Sequence, residues 1–96
     1  MIIAKVIGSA VATLKHDLLK TTKLLLVGPA DVRGNLTGEP FLAVDLVGAG
    51  DGELVMISQG SSARAAIGDD SSPADAAVIG ILDSLQVEEA IDLGKE

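Results

Sequence analysis

The sequence predicts a mainly β domain in which five short strands form a small barrel. β-Branched and leucine-rich runs alternate with turns that contain glycine, proline and asparagine, which is the pattern of consecutive short strands. One stretch, just before the last strand, favours a helix. The 96 residues suit a single domain, and because 48% are hydrophobic but only Phe41 is aromatic, its core must be aliphatic.

Each element follows from the composition of its run. Gly8 is expected to bend the first strand through a bulge. Ser61 is expected to cap a helix over residues 62–67 that ends at Gly68. A helix before the last of five strands is typical of an OB-like barrel, the fold of many oligonucleotide-binding domains. The strands are expected at Met1–Leu14, Lys23–Val27, Pro40–Val47, Glu53–Ser58 and Ala76–Leu82.

The chain is expected to divide into a barrel domain over residues 1–84 and a short tail over residues 85–96. Within the tail, residues 87–93 favour one or two helical turns. Residues 31–39 are rich in glycine, asparagine and aspartate, and they favour a hairpin connection between the second and third strands.

Composition excludes several classes of protein. The chain has no cysteine, which excludes a disulfide scaffold and a thiol enzyme. No run has the length of a transmembrane helix, and the N-terminal apolar run, interrupted by Lys5, does not resemble a secretory signal. The absence of cysteine is compatible with a cytoplasmic protein, and no membrane partner is expected.

Charge is divided unevenly along the chain. Residues 1–38 carry a net charge of +3 and residues 39–96 one of −10, which gives the total of −7. Nucleic-acid binding needs basic side chains for the phosphates and aromatic rings for unpaired bases, so no nucleic-acid partner is expected. The asymmetry either pairs the basic third of one subunit with the acidic remainder of another or belongs to solvated surface, which is the more common case.

The glycine-rich loop GAGDG at residues 48–52 resembles a nucleotide-binding loop only superficially. A dinucleotide-binding loop opens a helix, whereas a strand is expected after this one, and no Gly-Lys-Ser/Thr sequence is present. Gly48, Gly50 and Gly52 are therefore interpreted as a tight connection between strands that needs positive φ angles. No cofactor is expected.

The segment Gly60-Ser61-Ser62-Ala63-Arg64 allows two interpretations. Free amides at the start of a helix attract anions, and Arg64 is near enough to assist. Alternatively, the helix is simply capped and Arg64 pairs with Asp45, Asp75 or Asp83, which we favour because caps are far more common than anion sites.

Catalytic chemistry finds little support in the sequence. A hydrolase that used Ser61 or Ser62 would need a base within reach, and the single histidine, His16, lies in a polar loop with no evident partner. The adjacent acids at 69–70 and 88–89 do not converge on one substrate and lack the spacing of a calcium loop. Neither an enzyme nor a metal site is expected.

Two carboxylates lie in apolar surroundings. Asp45 interrupts the apolar run over residues 42–47, and Asp83 follows the fifth strand. A carboxylate placed in this way must be paired or hydrogen-bonded. Both are expected to bind loop amides or Arg64.

Taken in order, five motifs resemble those of the bacterial microcompartment vertex proteins, the EutN/CcmL family. Each motif is weak alone, but the ordered set covers about residues 1–84. The motifs are Gly8-x-x-Val11-Ala12-Thr13-x-Lys15, Lys23–Val27, Ala43-Val44-Asp45-x-Val47-Gly48-Ala49-Gly50-x-Gly52-Glu53, Gly60–Arg64 and Pro73-x-Asp75-x-x-Val78-Ile79-Gly80-Ile81-x-Asp83.

The resemblance implies a five-stranded barrel that assembles into a slightly conical homopentamer. Such pentamers close the five-fold vertices of a polyhedral shell beside hexameric shell proteins, and the shell encloses enzymes of a metabolic pathway or of carbon fixation. Members of the family are structural and carry no catalytic residues. The alternative function from the residues alone is an OB-like module that binds a small ligand or an oligonucleotide.

The resemblance also suggests where subunits meet. The polar segment at Gly60, Ser61, Ser62 and Arg64, together with Asp45 and Asp83, is expected at or near the subunit interface or the axis. The loop of Gly48, Gly50 and Gly52 is the other candidate for the axial constriction, because tight glycine loops let backbones approach closely.

Overall fold

The computed structural model describes residues 1–12, 22–68 and 74–85. Within these residues, strands and a helix follow one another as the sequence predicts, with the helix just before the last strand. Their bounds are β1 Ile2–Ala12, β2 Thr22–Pro29, β3 Phe41–Asp45, β4 Leu54–Gln59, α1 Gly60–Ile67 and β5 Ala76–Ile81. The mainly β fold class is confirmed.

The five strands close into a barrel in the order β1-β2-β3-β5-β4. β1 pairs antiparallel with β2 on one side and with β4 on the other. β2 with β3 and β4 with β5 are also antiparallel, whereas β3 and β5 run parallel. Each of the five described strands thus pairs with two neighbours, which confirms the predicted OB-like barrel.

A bulge in β1 divides the strand into two halves that pair with different sets of neighbouring strands. Its first half, through Lys5, pairs with β4 and β2 together, and its second half pairs with β2 alone as far as Ala12. The register with β2 shifts between Val6 and Gly8, where the sequence predicts a bulge. The bulge bends the strand at the point where the hairpin leaves the barrel wall.

The core is aliphatic, as the composition requires. Inward side chains alternate along each strand, and Phe41 only borders the buried cluster. Because no large ring fills the interior, the barrel is narrow and packed by branched side chains. The largest fully buried side chains are Leu25, Ile57, Val6, Val27, Val55 and Val78.

Strand ends differ from the predicted ones for local reasons. β2 continues through Pro29 because this residue still lies opposite Ala4 and its carbonyl accepts the Thr37 amide at 2.8 Å. The predicted connection at residues 31–39 follows, stabilised by the Asp31 carboxylate, which accepts the Arg33 and Asn35 amides at 2.9 Å each. The predicted end of β1 at residues 13–14 and the predicted helical turns at residues 87–93 lie outside the described residues.

The predicted serine cap of α1 is wrong. The helix begins at Gly60, and the residue in the cap position, Gln59, is extended and makes no side-chain cap hydrogen bond. Gly60 has a φ of 64° and donates its amide to the Asp75 carbonyl at 2.8 Å, so the chain turns from β4 into the helix with no residue between them. The helix ends at Gly68, as predicted, in a left-handed conformation.

In the part of the chain that the structure describes, no helix is both long enough and apolar enough to span a bilayer.

Candidate functional site

Asp45 organises the glycine loop. Its Oδ1 accepts the backbone amides of Val47, Gly48 and Ala49 at 3.1, 2.9 and 3.4 Å. The chain leaves the strand as these amides turn toward the carboxylate, and β3 ends at Asp45 and not at Val47 as predicted. The expected pairing of this carboxylate with loop amides is confirmed.

The charge of Asp45 is balanced within its own subunit. Its Oδ2 lies 3.6 Å from the Lys23 Nζ, and the carboxylate side chain is only 3% exposed. Burial alone would raise the pKa of Asp45, but the three amide hydrogen bonds and Lys23 outweigh it, and the pKa is lowered. Lys23, and not Arg64, is therefore the cation that this carboxylate meets.

Glu53 closes the loop from the other end. Its Oε1 accepts the Gly50 amide at 2.6 Å, and its own amide donates to the Gly50 carbonyl at 3.2 Å. The loop is also tied to β1, because Val6 exchanges backbone hydrogen bonds with Gly52 and Glu53 at 2.8 and 3.0 Å. The backbone conformation is thus fixed at both ends.

Positive φ angles occur at two of the three loop glycines. Gly48 has a φ of 76° and Gly52 one of 85°, whereas Gly50 has no such angle. The expected tight connection is therefore confirmed, and the requirement for glycine falls on its first and last positions.

Apolar side chains border the loop. Ala49 is 2% exposed and belongs to the core cluster, so it anchors the loop to the barrel. Leu46 and Val47 point the other way and are 42% and 39% exposed. Exposed aliphatic side chains beside a rigid loop are typical of a surface that another protein covers.

The Gly60–Arg64 segment lies at the opposite end of β4. Ser61 and Ser62 are exposed in the first turn of α1, while Ala63 is fully buried against the barrel. Arg64 is half-buried, and among the described residues no carboxylate pairs with it, so the expected pairing with Asp45, Asp75 or Asp83 is not found.

The structure divides the predicted site residues into two groups. Asp83 follows β5 beside the start of β4, where Leu82 donates its amide to the Leu54 carbonyl at 2.9 Å. Asp83 therefore lies near the end of the barrel that carries the glycine loop. The six-residue β4 separates this group from Gly60–Arg64 within one subunit.

Two residues of the loop network escaped the sequence analysis. Lys23 and Glu53 appear in the sequence motifs, but nothing local shows that each lies beside the loop. The position of Glu53, three residues after Gly50, is the sequence feature that could have predicted its role, because a carboxylate at this spacing can accept a hydrogen bond from a turn amide. Lys23 had no such signal, because its partner is on another strand.

Nothing in the described part of the chain assembles a reactive centre. No group of three histidine, cysteine or acidic side chains there could hold a metal ion. Ser61 and Ser62 have no neighbouring base among the described residues, and His16 lies outside them. The hydrogen bonds of this arrangement fix the shape of the backbone.

The first prediction concerns the loop glycines. Gly52→Ala is expected to destabilise the fold by roughly 1–2 kcal/mol, because a side chain disfavours the left-handed region. Nothing lies within 4 Å of the added methyl group, so the cost is conformational. Gly50→Ala is the matched control and is expected to be near neutral. Equal melting temperatures of the two variants at one protein concentration would contradict this role of Gly52.

The second prediction concerns Asp45. Asp45→Ala is expected to cost about 1–2 kcal/mol at neutral pH, because three amides lose their acceptor. Lys23→Ala, which removes a half-exposed partner, is expected to cost under about 1 kcal/mol.

The dependence on pH follows from the lowered pKa. A carboxylate with a lower pKa in the folded state stabilises the fold above its unfolded pKa, and the stabilisation is lost as pH falls through the folded pKa. Denaturation curves of the wild type and Asp45→Ala should therefore converge in strong acid. A gap of constant size at every pH would show that charge has no part in holding the loop.

Comparison with known proteins gives the fold its context. Residues 1–83 match the model of the family described as ethanolamine utilisation protein EutN/carboxysome. The chain is 46% identical over 86 residues to GrpN of Rhodospirillum rubrum, a bacterial microcompartment shell vertex protein, with 90% of this chain and 97% of the relative covered. It is 44% identical over 97 residues to CcmL of a Nostoc species, a carboxysome shell vertex protein, with 100% and 96% covered.

A solved structure of one of these relatives has the same fold as this chain. The pentameric microcompartment shell protein GrpN of Rhodospirillum rubrum superposes with a TM-score of 0.79 at 43% identity, over 92% of this chain and all of that one. The family match, the identities and the superposition each extend over the whole barrel. The chain therefore belongs to the EutN/CcmL family, as its ordered motifs suggest.

Proposed function

We propose that five copies of this chain close into a ring that caps the vertices of a bacterial microcompartment shell. The observation that carries this function is the match, along the whole barrel, to relatives that are shell vertex proteins and to a solved shell protein that is pentameric. Identity above 40% over nearly the full length supports the same fold in this chain. The protein is a structural component of the shell.

We propose further that the protein has no catalytic activity. The glycine loop is the most distinctive motif, and the acidic side chains at its two ends accept hydrogen bonds from the loop's own backbone. Asp45 and Glu53 accept loop amides, and the lowered pKa of Asp45 keeps it ionised, which suits a structural acceptor better than a general acid. Hexameric shell proteins are the proposed neighbours of the ring.

The two groups of polar residues are proposed as parts of the subunit contacts or of the axis. One group is the glycine loop with Asp83, bordered by the exposed Leu46 and Val47. The other is Gly60–Arg64 at the far end of β4. In a ring built from head-to-tail contacts, each subunit offers two different surfaces, so groups that are apart within one subunit are free to meet across a contact.

The third prediction is the mass of the assembly. Native mass spectrometry of the purified wild-type protein at micromolar concentration is expected to give the mass of five chains. A monomer or a dimer as the sole species would contradict the proposed function.

The fourth prediction tests Arg64. Because Arg64 has no carboxylate partner among the described residues of its own subunit, Arg64→Ala is expected to weaken the ring at least about tenfold, as loss of an interfacial charge pair does. The readout is the protein concentration at which the pentamer dissociates. Arg33→Ala, at an exposed turn, is the matched control and is expected to leave this concentration unchanged.

A purely local role of Arg64 has a different signature. A cation in the last turn of a helix also stabilises that helix through its dipole. In that case, Arg64→Ala would lower the melting temperature while pentamer dissociation stayed at the wild-type concentration, and the interfacial role would be wrong.

A further inference from the structure

We propose that the ring is held together by two unlike apolar walls on the outside of the barrel, with wall A of one subunit packed against wall B of the next. This inference rests on the proposed pentamer and specifies its interface. A ring needs a contact between two different patches of the chain, whereas a two-fold dimer pairs one patch with itself.

Wall A lies over the seam between β2 and β3. It consists of Leu24, Leu26 and Leu42, with Gly8 and Ala10 of β1 beside them. Leu26 lies opposite Leu42 in the register, and Gly8 lies opposite Leu26. A methyl group on Gly8 would meet the Leu26 side chain at 3.7 Å, which places both residues on the same face.

Alternation shows that wall A faces outward. Leu25, Val27 and Ala43 occupy the intervening positions and are no more than 1% exposed, so they fill the barrel. Their neighbours along the strands must point away from the core. Leu42 is 50% exposed, although leucine is a residue that folding normally hides.

Wall B lies over β4 and its neighbours. It consists of Ile3 of β1, Leu54 and Met56 of β4, and Gly80 of β5. Ile3 lies opposite Met56, and Met56 lies opposite Gly80. The Met56 side chain extends over Gly80, since a Cβ built on that glycine would lie 2.5 Å from the Met56 Cε.

Wall B faces outward for the same reason as wall A. The intervening positions Ala4, Val55 and Ile57 are 0% exposed and belong to the core cluster. The residues of wall B are outside that cluster and only partly covered. Wall B is therefore a second apolar surface.

The barrel order separates the two walls. In the closed order β1-β2-β3-β5-β4, the strand across the barrel from the β2–β3 seam is β4. Walls A and B therefore lie on different sides of the subunit, as a head-to-tail ring requires. A second copy of this chain is the occupant that fits, because it carries the matching wall on its opposite side.

The chemistry of the walls favours direct packing. Both are aliphatic, and wall A contains two small residues, Gly8 and Ala10, that let a facing strand approach closely. Lys5, opposite Leu54 in the register, borders wall B. Burial of apolar surface supplies the main driving force for such contacts.

The fifth prediction places one charge on each wall. Leu42→Glu on wall A and Met56→Glu on wall B are each expected to abolish the pentamer peak in native mass spectra at concentrations where the wild type is pentameric. Val11→Glu is the matched control, because Val11 is 75% exposed and lies on the other face of β1 from Gly8 and Ala10, outside both walls. It is expected to remain pentameric.

Mixing the two variants tests the pairing itself. Leu42→Glu keeps wall B intact, and Met56→Glu keeps wall A intact. A mixture can therefore form a single intact A–B contact, and a heterodimer of one copy of each variant is expected, with no larger species. A mixture that stays monomeric although both variants are folded would overturn the pairing of these walls.

Each remaining outcome has a defined meaning. If the wild type is pentameric but Leu42→Glu or Met56→Glu also is, the walls are not the interface and the inference is wrong. If the wild type is monomeric, the proposed function itself fails. Circular dichroism and cooperative melting establish that each variant is folded. If a glutamate variant does not fold, Leu42→Ser or Met56→Ser takes its place. The pentamer of the serine variant is expected to dissociate at a protein concentration at least about ten times that of the wild type. An unchanged dissociation concentration would overturn the inference.

Discussion

Closure of the barrel depends on a short parallel contact between β3 and β5. It spans Val44 opposite Ala77 and Asp45 opposite Val78, with one further hydrogen bond from the Leu46 amide to the Val78 carbonyl at 3.3 Å. Asp45 lies where this contact ends and diverts the chain into the glycine loop. The same residue therefore completes the barrel and shapes its most distinctive loop, at the cost of burying a carboxylate that Lys23 and three amides must satisfy.

Closure of the barrel also divides the apolar residues into an inward-facing set and an outward-facing set. The inward set is made of small branched side chains, which is all that a five-stranded barrel has room for. The outward set is nearly as aliphatic, and its side chains stay partly exposed in a single subunit. A chain that is almost half hydrophobic yet builds so narrow a core has apolar surface left for contact with other copies.

The polar motifs acquire a common meaning in this context. In isolation, the glycine loop and the Gly60–Arg64 segment resemble catalytic or phosphate-binding motifs. In the structure, however, the loop amides donate hydrogen bonds to side chains at the ends of the loop, and the helix starts without a serine cap. Under the proposed function their role is geometric, because the positions of loops and helix ends affect how closely copies meet around an axis. Rigid loops suit a component that closes a shell better than flexible ones.

The sequence by itself determined the strand content, the bulge at Gly8, the end of the helix at Gly68 and the family, because these depend on local conformational preference and on ordered motifs. It also indicated that Asp45 needed hydrogen bonds, since a carboxylate in an apolar strand cannot go unpaired. Only the tertiary structure decided its partner, because Lys23 lies on another strand and pairing depends on register. It likewise decided that the helix begins at Gly60 without a serine cap and which aliphatic side chains face outward, since both depend on how distant strands close into a barrel.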